Sequence, residues 1–319
     1  MPRWSEQDIP VQSGRTVLIT GANSGIGLRT AQVFAERGAR VLMACRSPER
    51  GATAVDTVRD AARAAGRDPA VDLVPLDLAD LRSVHAAAEQ VRSMTEGRLD
   101  ILVNNAGVMM TPRKSTVDGF ELQFGTNHLG HAALTWLVMP ALRATPGSRV
   151  VTLSSPAARM GKVRTSDPNY EHRTYEPMTA YGQAKLANLM FALELDRRAR
   201  SKGLDLVSVA AHPGYTATRL VSNMAGSRDA GPMATAIEYF GELGGRFFAQ
   251  SVEHGALPTL YAATSPDVRG GDYYGPDGAF EMRGRPGRAH VPRAAHDPEV
   301  SARLWDVTAE LTRVEPDPA

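Results

Sequence analysis

A single cysteine, Cys45, is the only thiol in this 319-residue chain. No intramolecular disulfide can form, which fits a reducing compartment. No run of about eighteen consecutive apolar residues occurs, so no spanning helix is expected. Residues Met1 to Pro10 are polar and lack the apolar core of a secretory signal; the expected location is the cytoplasm. Neither sign of charge dominates, and the formal net charge is +1. Nothing draws the chain broadly toward nucleic acid or an acidic membrane. There is no internal repeat and no linker strong enough to divide the chain, and no metal is expected. What remains is an ordinary globular composition, 43% hydrophobic, read as one domain over residues 1–319.

The most informative stretch is Val17-Leu18-Ile19-Thr20-Gly21-Ala22-Asn23-Ser24-Gly25-Ile26-Gly27. It reads as a buried strand running into a glycine-rich turn, with an apolar-rich helix following from about Leu28 to Arg37. Gly21 lets the chain leave the strand at a φ that a side chain forbids. Gly25 leaves room for a pyrophosphate against bare backbone, and Gly27 lets the helix pack close to its strand. The free N–H groups and positive dipole end of that helix then face phosphates. In this strand-turn-helix context the pattern reads as a dinucleotide-binding turn.

Strand and helix alternate from residue 15 to 211, which predicts an α/β fold, a doubly wound parallel sheet of Rossmann type. The second strand, Ala39 to Cys45, ends in Arg46, nineteen residues beyond Gly27. An acidic residue near this position binds the ribose 2′-hydroxyl in NAD-specific folds. A guanidinium instead pairs with a 2′-phosphate, so NADP(H) is expected, with Arg50 as a second contact. Asp77 and Leu78 close the third strand at the ligand edge. Asp77 can accept from an adenine amino group or serve as a turn residue, and Asp80 reads as the N-cap of the helix from Leu81. Asn104-Asn105-Ala106-Gly107 follows the fourth strand and would set backbone and amide groups beside the cofactor ribose. A long helix is predicted from Glu121 to Arg143, carrying Asn127. The fifth strand closes in Ser154-Ser155, and a polar insertion (156–178) follows. A helix from about Ala180 to Arg200 carries Tyr181 and Lys185 one turn apart on one face. The sixth strand ends in His212-Pro213-Gly214-Tyr215-Thr216; His212 is read as structural and hydrogen-bonded.

From Arg219 to Gln250 the pattern loosens. Met224, Met233, Ile237, Phe240, Phe247 and Phe248 suit either a mobile apolar lid over a crevice or two amphipathic helices packed on the core. Residues 277–295, rich in Gly, Pro and Arg, read as loop. A closing helix is expected near 298–312. The core thus spans 15–218 and the lid-and-tail region 219–295.

Thr20-Gly21-x-x-x-Gly25-x-Gly27, Asn104-Asn105-Ala106-Gly107, Asn127, Ser155, Tyr181-x-x-x-Lys185 and Pro213-Gly214 occur in this order. Together they resemble the short-chain dehydrogenase/reductase family over residues 15–218. The Ala44-Cys45-Arg46 strand end, the insertion before Tyr181 and the Tyr273-Tyr274-Gly275-Pro276 segment resemble its retinol-dehydrogenase-like and protochlorophyllide-reductase-like branch. The animal membrane-anchored members of that branch carry an N-terminal anchor, which is not expected here.

The resemblance implies an NADP(H)-dependent oxidoreductase acting on a carbonyl/alcohol pair. It implies that Tyr181 is the acid/base and that Lys185, with the positive nicotinamide, favours the phenolate and lowers the phenol's pKa. Ser155, rather than Ser154, would donate to the substrate oxygen. Asn127 would hold a water leading from Lys185 to solvent. The implied cofactor-facing set is Gly21, Asn23, Ser24, Gly25, Ile26, Gly27, Arg46, Asp77, Leu78, Asn104, Ala106, Gly107, Tyr181, Lys185, Pro213, Gly214 and Thr216. The apolar lid suggests a lipophilic small-molecule substrate. The resemblance also allows a homodimer or homotetramer built on the helices 121–143 and 180–200, although insertions of this kind can cap such surfaces. The competing readings are a non-catalytic NADP(H)-sensing protein on the same fold and a sugar-nucleotide epimerase, which shares the Tyr-x-x-x-Lys pair.

Overall fold

The computed structural model describes residues 4–215 and 250–318. Eight strands form one sheet in the order β3-β2-β1-β4-β5-β6-β7-β8. They are β1 (Thr16–Thr20), β2 (Arg40–Cys45), β3 (Val71–Pro75), β4 (Ile101–Asn104), β5 (Ser148–Leu153), β6 (Leu206–Ala211), β7 (Tyr273–Pro276) and β8 (Pro286–Arg288). All neighbours pair in parallel except β7 with β8. The order reverses between β1 and β4. In an open α/β sheet this is where a crevice opens at the carboxyl ends of the strands.

Both faces of the sheet are buried, because successive side chains of a strand point to opposite faces. Val17 and Ile19 of β1, with Val41 and Met43 of β2, join one apolar cluster. Leu18 and Leu42 join the other. The first cluster packs under α1 (Gly25–Glu36), α2 (Pro48–Ala64) and α7 (Val252–Thr264). The second packs under α3 (Leu81–Met94), α5 (Gly130–Arg143) and part of α6 (Pro177–Ser201) and α8 (Pro298–Thr312). Near the N-terminus, Trp4 docks edge-on against Tyr261, with ring centroids 5.2 Å apart.

The structure corrects the sequence reading in several places. The first helix begins at Gly25, inside the glycine turn, rather than at Leu28. The helix predicted over 121–143 is a single turn, α4 (Leu122–Phe124), then a π-helical turn over Gly125–Leu129, then α5. Close packing accounts for the two glycines that bound this turn: a Cβ on Gly125 would meet Thr116 Cγ2 at 2.5 Å, and one on Gly130 would meet the Leu78 carbonyl at 2.4 Å. Asn127 lies inside the wide turn, fully buried. The tail read as loop contains β8 and short 3-10 turns at Ala279–Glu281 and Arg293–His296. The segment read as a lid, up to residue 249, lies outside the described residues, as does Thr216. Among the described residues no helix is long and apolar enough to cross a membrane.

Candidate active site

The glycine turn is built as its sequence suggests. Gly21 sits at φ +66°, and a Cβ there would come within 2.9 Å of Ala106 Cα. A Cβ on Gly27 would meet the Gly21 carbonyl oxygen and Asn105 Nδ2, both at 2.5 Å. Gly25 is also left-handed, at φ +53°. Ser24, the N-cap of α1, makes no side-chain capping bond, so the first N–H groups of a twelve-residue helix are left for a ligand. The turn is pinned from behind: the Gly21 N–H donates to the Ala44 carbonyl (2.8 Å). Burial pushes the Cys45 thiol up to about 11, with the nearby Ala22 and Asn23 N–H groups opposing. Cys45 is therefore a buried structural residue.

Arg46 follows β2 and is exposed. Ser47 caps α2, its hydroxyl accepting from the Arg50 N–H. Among the described residues no hydrogen bond or ion pair engages the Arg46 side chain. A free guanidinium beside a helix N-terminus and a cradle of close-packed glycines together fit the adenosine end of a phosphorylated dinucleotide. Asp77 behaves as the turn residue: its Oδ1 accepts from the Ala79 N–H (3.0 Å), and its own N–H donates to Ser83 Oγ (2.8 Å). Asp80 caps α3, accepting from the Arg82 N–H.

The sequence reading set the amides of Asn104, the last residue of β4, and Asn105 beside the ribose; in the structure both Nδ2 groups bond within the protein. Asn104 is buried and its Nδ2 donates to Thr135 Oγ1 (2.9 Å). Asn105 Nδ2 donates to the Thr20 carbonyl (2.7 Å). Both amides hold the frame, and the loop faces the crevice with backbone at half-buried Ala106 and Gly107. Asn127 clamps the next residue, its Oδ1 accepting from the Val108 N–H (2.8 Å) and its Nδ2 donating to the Val108 carbonyl (2.9 Å). Each of these bonds uses half of the amide's capacity, leaving one Nδ2 hydrogen and one Oδ1 lone pair, and the backbone carbonyl of Asn127 lies 2.8 Å from His131 Nδ1.

Two buried histidines flank Asn127, and burial holds both neutral. The His128 pKa is pulled down to about 3 and that of His131 to about 4. His128 Nε2 meets Thr308 Oγ1 of α8 at 2.9 Å. The sequence reading assigned neither histidine a role; only their spacing around Asn127 signals them.

Ser155, Tyr181 and Lys185 converge at the ends of β5 and α6. The Ser155 hydroxyl lies beside the Tyr181 phenol and favours its ionised form. Lys185 Nζ donates to the Leu153 carbonyl (3.2 Å) and sits 5.8 Å from the Tyr181 ring centroid. A Cβ on Gly107 would lie 3.0 Å from Asn127 Oδ1 and 3.5 Å from Lys185 Nζ, so these three groups share one small volume. Ser154 is spent elsewhere: its hydroxyl donates to the Lys185 carbonyl (2.7 Å) and is buried. Burial pushes the phenol up to about 12, with the Ser155 hydroxyl opposing, and burial pulls Lys185 down to about 8. Desolvation penalises both charged forms, and the expected lowering of the phenol's pKa relies on the positive nicotinamide as well as on Lys185.

Beyond β6, Gly214 is left-handed at φ +64° and pressed by the Met282 carbonyl, which would lie 2.5 Å from a Cβ there. The Tyr215 N–H donates to that carbonyl (2.8 Å) and the Gln250 side chain donates to the Pro213 carbonyl. His212 is fully buried and hydrogen-bonded, as expected. Its partner Glu281, and Arg159 beside Glu281, were not anticipated, because both lie far from His212 in sequence.

A family model for short chain dehydrogenase matches residues 15–229. Mouse retinol dehydrogenase 14 is 38% identical over 315 residues, covering 96% of this chain and 88% of the mouse protein. Mouse polyprenol dehydrogenase is 39% identical over 311 residues, covering 95% and 85%. An uncharacterized Mycobacterium paratuberculosis protein of known crystal structure is 39% identical, with a TM-score of 0.78 and 98% of each chain covered.

Proposed function

Because the chain belongs to the short-chain dehydrogenase family and is similar to retinol and polyprenol dehydrogenases, we propose that it is an NADP(H)-dependent oxidoreductase of lipophilic carbonyl/alcohol pairs. The observation that carries this reading is the convergence of Ser155, Tyr181, Lys185 and Asn127 beside a glycine cradle that ends in an unpaired Arg46. Members of the family bind a nicotinamide cofactor, which when bound supplies or accepts the hydride.

In carbonyl reduction the Tyr181 hydroxyl donates its proton to the substrate oxygen. The Ser155 hydroxyl donates a hydrogen bond to the same oxygen, where negative charge develops. The Lys185 ammonium holds the ribose side of the site and stabilises the phenolate that Tyr181 becomes. A Tyr181 pKa of about 12 keeps the phenol protonated at neutral pH; a neighbouring positive charge that brings it down makes it a better acid in reduction and a usable base in oxidation. Asn127 fixes the Val108 backbone and thereby Gly107 beside Lys185. Arg46 pairs with the 2′-phosphate. Relatives named for retinol and polyprenol support long apolar alcohols and aldehydes as the substrate class.

The test is a titration of the purified protein with NADPH and NADH, followed by a screen of long-chain aldehydes and ketones for NADPH consumption. Tight NADPH binding, weak NADH binding and turnover that Tyr181→Phe abolishes are expected. Preference for NADH would overturn the cofactor reading. Binding without turnover of any carbonyl or alcohol would favour a nucleotide sensor.

A further inference from the structure

The C-terminal segment that follows β7 lies outside the family-model match, yet one of its side chains reaches both halves of the site. Glu281 Oε2 accepts from His212 Nε2 (2.9 Å) and from Arg159 (2.6 Å). Its Oε1 accepts from the His290 N–H (2.8 Å). All the donors that meet this carboxylate are thus accounted for, and its side chain is only 17% exposed.

The histidine it meets is fixed in one form. His212 Nδ1 accepts from the Gly214 N–H (3.1 Å), so that nitrogen carries no proton and Nε2 must be the donor to Glu281. A void in the backbone makes room for the ring: a Cβ on Gly275 would lie 2.0 Å from His212 Nε2. The segment also departs from ordinary backbone geometry at this point. Phe280 and Glu281 are consecutive left-handed residues, at φ 55° and 58°, a conformation that non-glycine residues hold only where their surroundings enforce it. The enforcing contacts are those of the Glu281 carboxylate, together with the Met282 carbonyl accepting from the Tyr215 N–H.

We propose that Glu281 is a positioning residue of the active site. Through His212 it holds Gly214, a member of the implied cofactor-facing set. Through Arg159 it holds the turn that starts at Ser155. The tail thereby locks the cofactor-orienting segment and the substrate-oxygen donor in one register. The catalytic part of this inference rests on the proposed function; the mechanical part does not.

The test has two readouts. Hydrogen–deuterium exchange in the nucleotide-free protein should show peptides spanning 153–162 and 210–215 exchanging at least tenfold faster in Glu281→Ala than in the natural protein. Glu281→Gln, which keeps an acceptor for His212, should exchange near the natural rate. With a carbonyl that the natural protein reduces, Glu281→Ala should lower kcat about tenfold and leave NADPH affinity within threefold, and Gln should restore most of the rate. If Glu281→Ala does not fold, Arg159→Met removes one arm of the clamp and should speed exchange in 153–162 alone. Unchanged exchange in these variants overturns the proposal, as does normal kcat in a folded Glu281→Ala. Absence of turnover in the natural protein would instead count against the proposed function, and the exchange data would still decide on the clamp.

Discussion

His131 joins Asn127 to Thr20: its Nδ1 lies 2.8 Å from the Asn127 carbonyl and its Nε2 2.8 Å from the Thr20 hydroxyl. The carbonyl only accepts, so Nδ1 carries the proton and Nε2 accepts from Thr20. The Thr20 oxygen in turn accepts from the N–H groups of Asn105 and Ala106, at 2.9 Å each. One neutral imidazole therefore ties the π-helical turn to the cofactor-facing loop. His131→Phe fills the same space but leaves the buried Asn127 carbonyl and the Thr20 hydroxyl without this partner. Leaving such a group unmatched costs about 1–3 kcal/mol. The expected outcome is a clear fall in the urea midpoint and weaker NADPH binding, read by fluorescence titration. Unchanged NADPH affinity would show that the loop is held without the imidazole.

The sheet was legible because its strands are short apolar runs buried on both faces, as at Val17-Leu18-Ile19, and each is followed by a turn signal. Ser155, Tyr181 and Lys185 were legible because strand ends and helix spacing place them without reference to distant contacts. The π-helical turn at Gly125–Leu129 was not, since an apolar pattern over 121–143 fits one continuous helix equally well. What opens that helix is close approach at Gly125 and Gly130 to Thr116 and Leu78, and tertiary contact leaves little mark on local sequence. The core partner of the Asn104 Nδ2 group, Thr135 on α5, was not legible for a related reason: it lies 31 residues away. Glu281 went unseen because its partner His212 lies 69 residues away.

The buried Lys185 sets a stability trend with a definite sign. Its pKa is pulled from 10.5 to about 8 by burial. Below pH 8 both the folded and unfolded states carry the proton, and the cost of burying the charge is fully present. Between about pH 8 and 10.5 the unfolded chain binds more protons, so this group's contribution to stability rises with pH. Tyr181 acts oppositely at higher pH: its pKa is raised to about 12, so the unfolded chain loses that proton first and stability falls as pH rises from about 10 to 12. Urea midpoints of the natural protein and Lys185→Met, without nucleotide, should converge from pH 8 to 10, by at most ~3 kcal/mol at ~1.4 kcal/mol per pKa unit. A gap that does not change with pH would mean that the ammonium titrates at its ordinary value.

Arg46 separates the two nicotinamide cofactors in the proposed reading. It is exposed at the end of β2 and precedes the capped N-terminus of α2. Arg46→Asp should weaken NADPH binding by about tenfold or more, through loss of a charge-assisted pair and introduction of a like charge. NADH should bind as well as before or better, because an aspartate can accept from the ribose hydroxyls. The ratio of the two dissociation constants, measured at one salt concentration, is the readout. An unchanged ratio would remove Arg46 from the phosphate site.

The two serines after β5 should respond to alanine in opposite ways. Ser155 lies beside the Tyr181 phenol, and its oxygen accepts from the Ala157 N–H at the start of a short 3-10 turn. Ser154 is buried, and its hydroxyl is spent on the Lys185 carbonyl. Ser155→Ala removes a donor aimed at the developing charge, so kcat should fall about 100-fold or more with NADPH affinity unchanged. The lost cap should cost about 1 kcal/mol of stability. Ser154→Ala should cost a similar amount of stability, from one buried hydrogen bond, while kcat falls far less. Thermal unfolding measured alongside kcat separates the two effects, because the loss of stability is nearly common to both variants and the loss of rate is not. The reverse pattern would move the substrate-oxygen donor to Ser154 and require α6 to shift relative to β5 during turnover.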